Sequence, residues 1–117
     1  MSLRIPRSFS SPDRGGKMDA LNYELLQESA ATLARLGKRL EGALEALSAH
    51  DAAHDGDAPK SAKRDQLVGA AGEALWYYVI QREVMGLTET ESVMRHLGVP
   101  REVRLRMGLN RRPDASP

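Results

Sequence analysis

The chain contains no cysteine. Disulfides, thiolate nucleophiles and cysteine-ligated zinc are excluded together. Aromatic residues are scarce: one Trp, three Tyr and one Phe in 117 residues. A core must therefore come from Leu, Ala, Val and Met. Leu and Ala favour helix because they lose little side-chain entropy there. No apolar run reaches the ~20 residues a membrane-spanning helix needs. The longest, Leu67 to Ile80, is interrupted by Glu73. Arg4 and Arg7 precede no apolar stretch, so the N-terminus does not read as a secretory signal and a cytoplasmic location is expected. Gly69-Ala70-Ala71-Gly72 sits in a helical context and is not a phosphate-binding loop.

Charge of one sign is also lacking: 17 Lys and Arg stand against 16 Asp and Glu, a net +1. The distribution is uneven. Residues 18–57 are acidic, and the stretches on either side carry the excess of base. In an oligomer that asymmetry sets unlike surfaces together; on a monomer it is a solvated surface.

What is present is helical periodicity. Residues 1–17, rich in Pro, Ser, Gly and Arg, read as a flexible basic arm, since two prolines and Gly15-Gly16 disfavour helix. The first helix is expected to open near Met18-Asp19, with Asp19 as its cap or Asn22 as an alternative one turn later. Leu26, Leu33, Leu40 and Leu47 then recur seven apart, with Ser29, Leu36 and Ala43 three residues after the first three. This is a heptad-like stripe of about three heptads. Gly37 and Gly42 weaken the helix but permit close approach of a neighbour. Gly56 and Pro59 mark a polar connection. A second helix is expected from about Ser61 to Met85, thin in its alanine- and glycine-rich first half and thick at Trp76-Tyr77-Tyr78, with Gly86 as its stop. Thr88-Glu89-Thr90-Glu91 has the spacing of a capping box for a short third helix ending at Gly98. Pro100 suits the first turn of a fourth, ended by Gly108.

The expected fold is all-α. A long antiparallel helical hairpin is followed by two short helices in one domain spanning residues 18–109, with a flexible tail at 110–117. A rod of about thirty residues cannot bury its stripe against one short neighbour. Self-association into a helical bundle, as a dimer or tetramer, is the leading expectation, and burial of the stripe within one chain by its own second helix is the alternative. The interface residues are Leu26, Leu33, Leu36, Leu40, Leu47, Trp76 and Tyr78. In this reading the protein is a non-enzymatic assembly module with no cofactor and no membrane contact. No nucleophile with its base is visible, so no catalytic residue is assigned.

Three patterns compete with that reading. His50 and His54, at i and i+4, share a helix face and have the spacing of a metalloprotease motif, with Asp51 in place of its glutamate. A zinc site needs a third protein ligand, for which Asp55, Asp57 and His96 are available. The motif lies where the helix ends, and a polar helix end explains it as well. Trp76-Tyr77-Tyr78 has the stacking surface of a base-binding platform, but no basic residue is interleaved, and packing explains it better. Residues 88–108 have the outline of a degenerate helix-turn-helix, with Arg101, Arg104 and Arg106 placed for phosphates or base edges. Bulky Met94 and a near-neutral chain argue against that DNA-binding alternative.

Several segments support one resemblance: Pro6-Arg7-Ser8-Phe9-Ser10, Tyr23-Glu24-Leu25-Leu26-Gln27-Glu28, Gln81-Arg82-Glu83 with Gly86-Leu87, and Pro100-Arg101-Glu102-Val103 with Gly108. They resemble a family of small bacterial proteins of unknown function, over most of the chain. The resemblance implies no activity, cofactor or site.

Overall fold

The computed structural model describes residues 12–54 and 61–108. Four helices occur among them: α1 Pro12–His54, α2 Ala62–Val84, α3 Thr90–Leu97 and α4 Arg101–Arg106. No strand occurs among the described residues, and the fold is all-α. No helix among them is long and apolar enough to cross a membrane.

The helix ends follow local chemistry, with two departures from the sequence-based expectation. Helix α1 begins at Pro12, not at Asp19, and passes through Gly15-Gly16. Proline fits the first helical position, where its missing N–H has no intrahelical partner. Each glycine costs only about 1 kcal/mol once the leucine- and alanine-rich stretch downstream has nucleated the helix. Residues 12–17 of the expected arm are therefore helical. Residues 1–11, and the tail expected at 110–117, lie outside the described residues.

Helix α2 starts near Ser61 as expected, and the Ser61 hydroxyl caps it by accepting from Arg64 N. It closes on Gly86 (φ +75°), where Leu87 N donates to Arg82 O and Gly86 N to Glu83 O. This paired bonding satisfies carbonyls that the helix end leaves open. Gly98 closes α3 in the same way, with Val99 N donating to Met94 O.

The capping box expected at Thr88 does not form. Glu89 is the cap residue, in the left-handed region (φ 62°, ψ 34°), and its side chain makes no capping bond. The reason is Arg82, 8% exposed, whose guanidinium donates to the Thr88 carbonyl oxygen. That bond fixes the chain one residue before the cap, and Glu89 is exposed.

The chain divides into two units, residues 1–31 and 32–117. The second holds a hydrophobic core to which all four helices contribute: Leu40 and Leu47 from α1, Val68, Ala71, Ala74, Leu75 and Val79 from α2, Met94 from α3 and Val103 from α4. Leu40, Leu75 and Val103 are fully buried. The thin first half of α2 admits α4 closely. A Cβ on Gly72 would lie 3.0 Å from the Arg106 Cβ and 3.1 Å from its backbone carbonyl. Tyr78 lies against Gly37, and Trp76 against Gly108.

In the first unit, the described side chains from Gly16 to Ala31 are exposed, with Ser29 intermediate. Met18, Leu21, Tyr23, Leu25 and Leu26 are each at least half exposed.

Candidate functional site

The strongest charge cluster joins three helices. Arg64, one turn into α2, donates from Nε to Asp51 Oδ1 (2.8 Å) and from Nη2 to Asp51 Oδ2 (3.0 Å). The same guanidinium donates from Nη1 and Nη2 to the Glu102 carboxylate at 3.0 and 2.5 Å. Arginine's planar fork matches carboxylates in this two-pronged way. The Arg64 hydrogen bonds hold the Asp51 carboxyl below its ordinary pKa, and the positive charge beside it acts in the same direction. Glu102 and Asp51 in turn hold the Arg64 guanidinium protonated. The cluster locks the start of α2 to the end of α1 and to α4. It presents saturated donors, not a reactive group.

The candidate nucleic-acid residues are drawn into similar pairs. Arg104 Nη2 donates to both Glu91 oxygens at 2.8 and 2.7 Å, and Arg106 Nη1 to Asp65 Oδ1 at 3.0 Å. Arg101 is exposed. The helix-turn-helix outline at 88–108 therefore uses two of its three candidate arginines to hold α4 to α3 and α2.

His50 and His54 stack, with ring centroids 4.0 Å apart and planes 19° apart. His54 Nδ1 donates to the His50 carbonyl oxygen at 2.8 Å, which leaves only its Nε2 for any ligand. The in-plane lone pairs of two stacked rings run side by side and do not converge on one ion. No group of three or more His, Asp or Glu that could hold a metal occurs among the described residues. Asp55 and Asp57 lie outside them. His96 lines a shallow open cleft with Tyr78, Glu89, Ser92, Val93 and Leu97. No hydrogen bond joins Ser92 to His96 among the described residues.

The aromatic run is absorbed in packing. Trp76, Tyr77 and Tyr78 are half-buried, and the Arg39 guanidinium sits 5.4 Å from the Tyr77 ring centroid. Arg39 also reaches Glu73 at 3.5 Å, so Glu73 meets an arginine of the first helix.

The leucine stripe is divided along α1. Leu40 and Leu47 are in the core of their own chain, Leu33 and Leu36 are half-buried, and Leu26 is 64% exposed. The exposed face also includes Met18, Leu21 and Leu25, which the heptad reading passed over. Their spacing of three and four residues places them together on one side of the helix. This apolar strip is the candidate functional site. Its flanks carry Glu24 and Glu28. Arg35 donates only to Thr32 Oγ1, 3.1 Å away, and meets no carboxylate among the described residues.

A family of unknown function (DUF6665) matches residues 2–114, and the chain belongs to that family. No curated protein and no solved structure matches it.

Proposed function

We propose, for this member of a family whose function is unknown, a non-enzymatic assembly role: the chain associates with itself through the exposed apolar face of α1. The observation that carries the reading is the row Met18, Leu21, Leu25 and Leu26, each at least half exposed on a continuous 43-residue helix. Helix α2 has 23 residues. At ~1.5 Å per residue it is about half the length of α1 and cannot line all of it. Isolated helix is marginal in water, and helices draw most of their stability from burying an amphipathic face. A second copy supplies that burial.

Magnitudes define the kind of assembly. Covering the exposed part of each of these four side chains is worth on the order of 1 kcal/mol. A two-fold pair gains about 8 kcal/mol, against an association cost of ~4–15 kcal/mol. Such a pair is reversible, and its mass depends on concentration.

Light scattering after size exclusion, over a range of concentrations, tests this. The expected result is a mass rising from 12.9 kDa toward a multiple of it. The double variant Leu25→Glu, Leu26→Glu should hold the chain at the monomer mass with its helix content retained. A wild-type chain at 12.9 kDa at all concentrations, or a double variant that still assembles, overturns the proposal.

A further inference from the structure

The cleft beside α3 holds a carboxylate that enters no ion pair among the described residues. Its lining follows one row along α3: Glu89, then Ser92 and Val93, then His96 and Leu97, with Tyr78 of α2 alongside. All six residues belong to the 32–117 unit. The cleft measures about 430 Å³, within the ~300–1,000 Å³ of ligand sites. Tyr78, Val93 and Leu97 are half-buried and supply apolar surface; Glu89, Ser92 and His96 are exposed. Glu89 stands apart by its backbone. It is the one non-glycine residue with positive φ among the described residues, at 62°. An L side chain is strained there and glycine is not. The strain brings no capping bond for α3. Residues held in such conformations by their surroundings cluster at ligand sites. Here the hold is the Arg82 bond to the Thr88 carbonyl.

One carboxylate beside a tyrosine ring and aliphatic surface, with no Lys or Arg in the lining, suits a guanidinium whose neighbours are apolar. Three stretches of the sequence lie outside the described residues, and charge and apolar content separate them. Residues 1–11, MSLRIPRSFSS, carry Arg4 and Arg7, no acid, and Leu3, Ile5 and Phe9 close by. Residues 55–60 carry Asp55 and Asp57 against Lys60. Residues 109–117 carry Arg111 and Arg112, but also Asp114, and Leu109 is their one large apolar side chain. The first stretch alone matches the cleft in both respects, and the family match takes it in from residue 2. We propose that the cleft docks residues 3–9 of a second copy, with an arginine of that segment on Glu89 and its apolar neighbours on Val93 and Leu97. This contact is separate from pairing through α1 and does not depend on it. One exposed ion pair with a few apolar contacts is weak, so it is read by titration and not as a change of mass.

The test uses the full chain carrying R4E/R7E, so that its own segment does not compete. Fluorescent peptides of residues 1–11 and of residues 109–117 are titrated onto it at low salt and read by anisotropy. The first peptide should bind saturably and more tightly than the second. Glu89→Gln in the full chain should weaken it by about threefold to tenfold, the loss of one charged contact. Glu89→Gly separates binding from folding. It relieves the left-handed strain, so its melting temperature should be no lower than that of the parent chain, while peptide binding falls as with Glu89→Gln. No saturable binding, tighter binding of the 109–117 peptide, or binding unmoved by Glu89→Gln overturns the proposal. Nuclear magnetic resonance of isotope-labelled chains then identifies the donor. Signals of Ser92, His96 and Leu97 in the labelled R4E/R7E chain should shift when unlabelled wild type is added. If they instead differ between wild type and R4E/R7E at every dilution, the segment sits in its own chain and the second-copy assignment falls. If light scattering shows no pairing through α1 and the peptide binds, the assembly reading falls and this inference stands. The opposite pair of results leaves assembly through α1 and removes the docked segment.

Discussion

Arg64 illustrates how much organisation one side chain carries here. Its two-pronged bonds to Asp51 and Glu102 draw together residues 13 and 38 positions away in sequence. The consequence for pH has a definite sign. Asp51 is held below its ordinary pKa by the Arg64 hydrogen bonds. Its stabilising contribution is therefore present above the unfolded carboxyl value, near pH 4, and is lost as pH falls through the lower folded value. Melting temperatures of wild type and Asp51→Asn between pH 2 and 6 check this. The variant should be the less stable near pH 6, and the gap should close toward pH 2. A gap that is constant across the range would show that the loss is one of packing. Nothing in the sequence announced this cluster. Asp51 read as part of a polar helix end, because its partner comes from another helix. The same holds for Arg82, whose contact with the Thr88 carbonyl displaces the capping box that the local spacing implied.

At the scale of the helix, α1 is one element with two environments. Leu40 is fully buried in the core, and Leu26, two heptads earlier, is 64% exposed. Leu40→Ala should lower unfolding stability by about 2–5 kcal/mol, the range for emptying a packed leucine site. Leu26→Ala should cost about 0.5 kcal/mol or less in dilute solution and weaken assembly instead. Urea unfolding at low concentration, beside light scattering at high concentration, separates the two effects. A charge at Leu40 would test the fold, not the assembly. Helix number, order and most helix ends were legible in the sequence. Leucine spacing, Ser61, Gly86 and Gly98 are local signals that act where they stand. The start of α1 was not legible, because Gly15-Gly16 penalises a helix by an amount that neighbouring turns offset. Nor was the division of the stripe. A seven-residue repeat states which face is apolar, and only the reach of α2 decides which part of that face is covered.

For the molecule as a whole, the ion pairs of α2, α3 and α4 point inward to one another. Arg64, Arg104 and Arg106 each tie one helix to another, while Arg95 and Arg101 are exposed. The apolar strip on α1 is at least half exposed among the described residues. This contrast is why assembly, and not chemistry on a small molecule, is the reading that the side chains favour. The sequence had already suggested a partner for the leucines. It could not show that Leu25, Leu21 and Met18, outside the heptad series, are the exposed members.

One consequence of the unbroken helix from Pro12 to His54 concerns the lifetime of its backbone hydrogen bonds. Protection of an amide against exchange with solvent follows the stability of whatever must open to expose it. Amides around Leu40 and Leu47 open only when the core does. Those between Met18 and Ala31 depend, in a single copy, on local helix stability alone. Deuterium uptake along α1 should therefore fall from its N-terminal turns toward its centre, with no break in secondary structure to mark the change. Raising the protein concentration should slow uptake over residues 18–31 and leave the core amides as they were. A helix continuous in structure thus becomes a gauge, one end reading the fold and the other reading how much of the protein is paired.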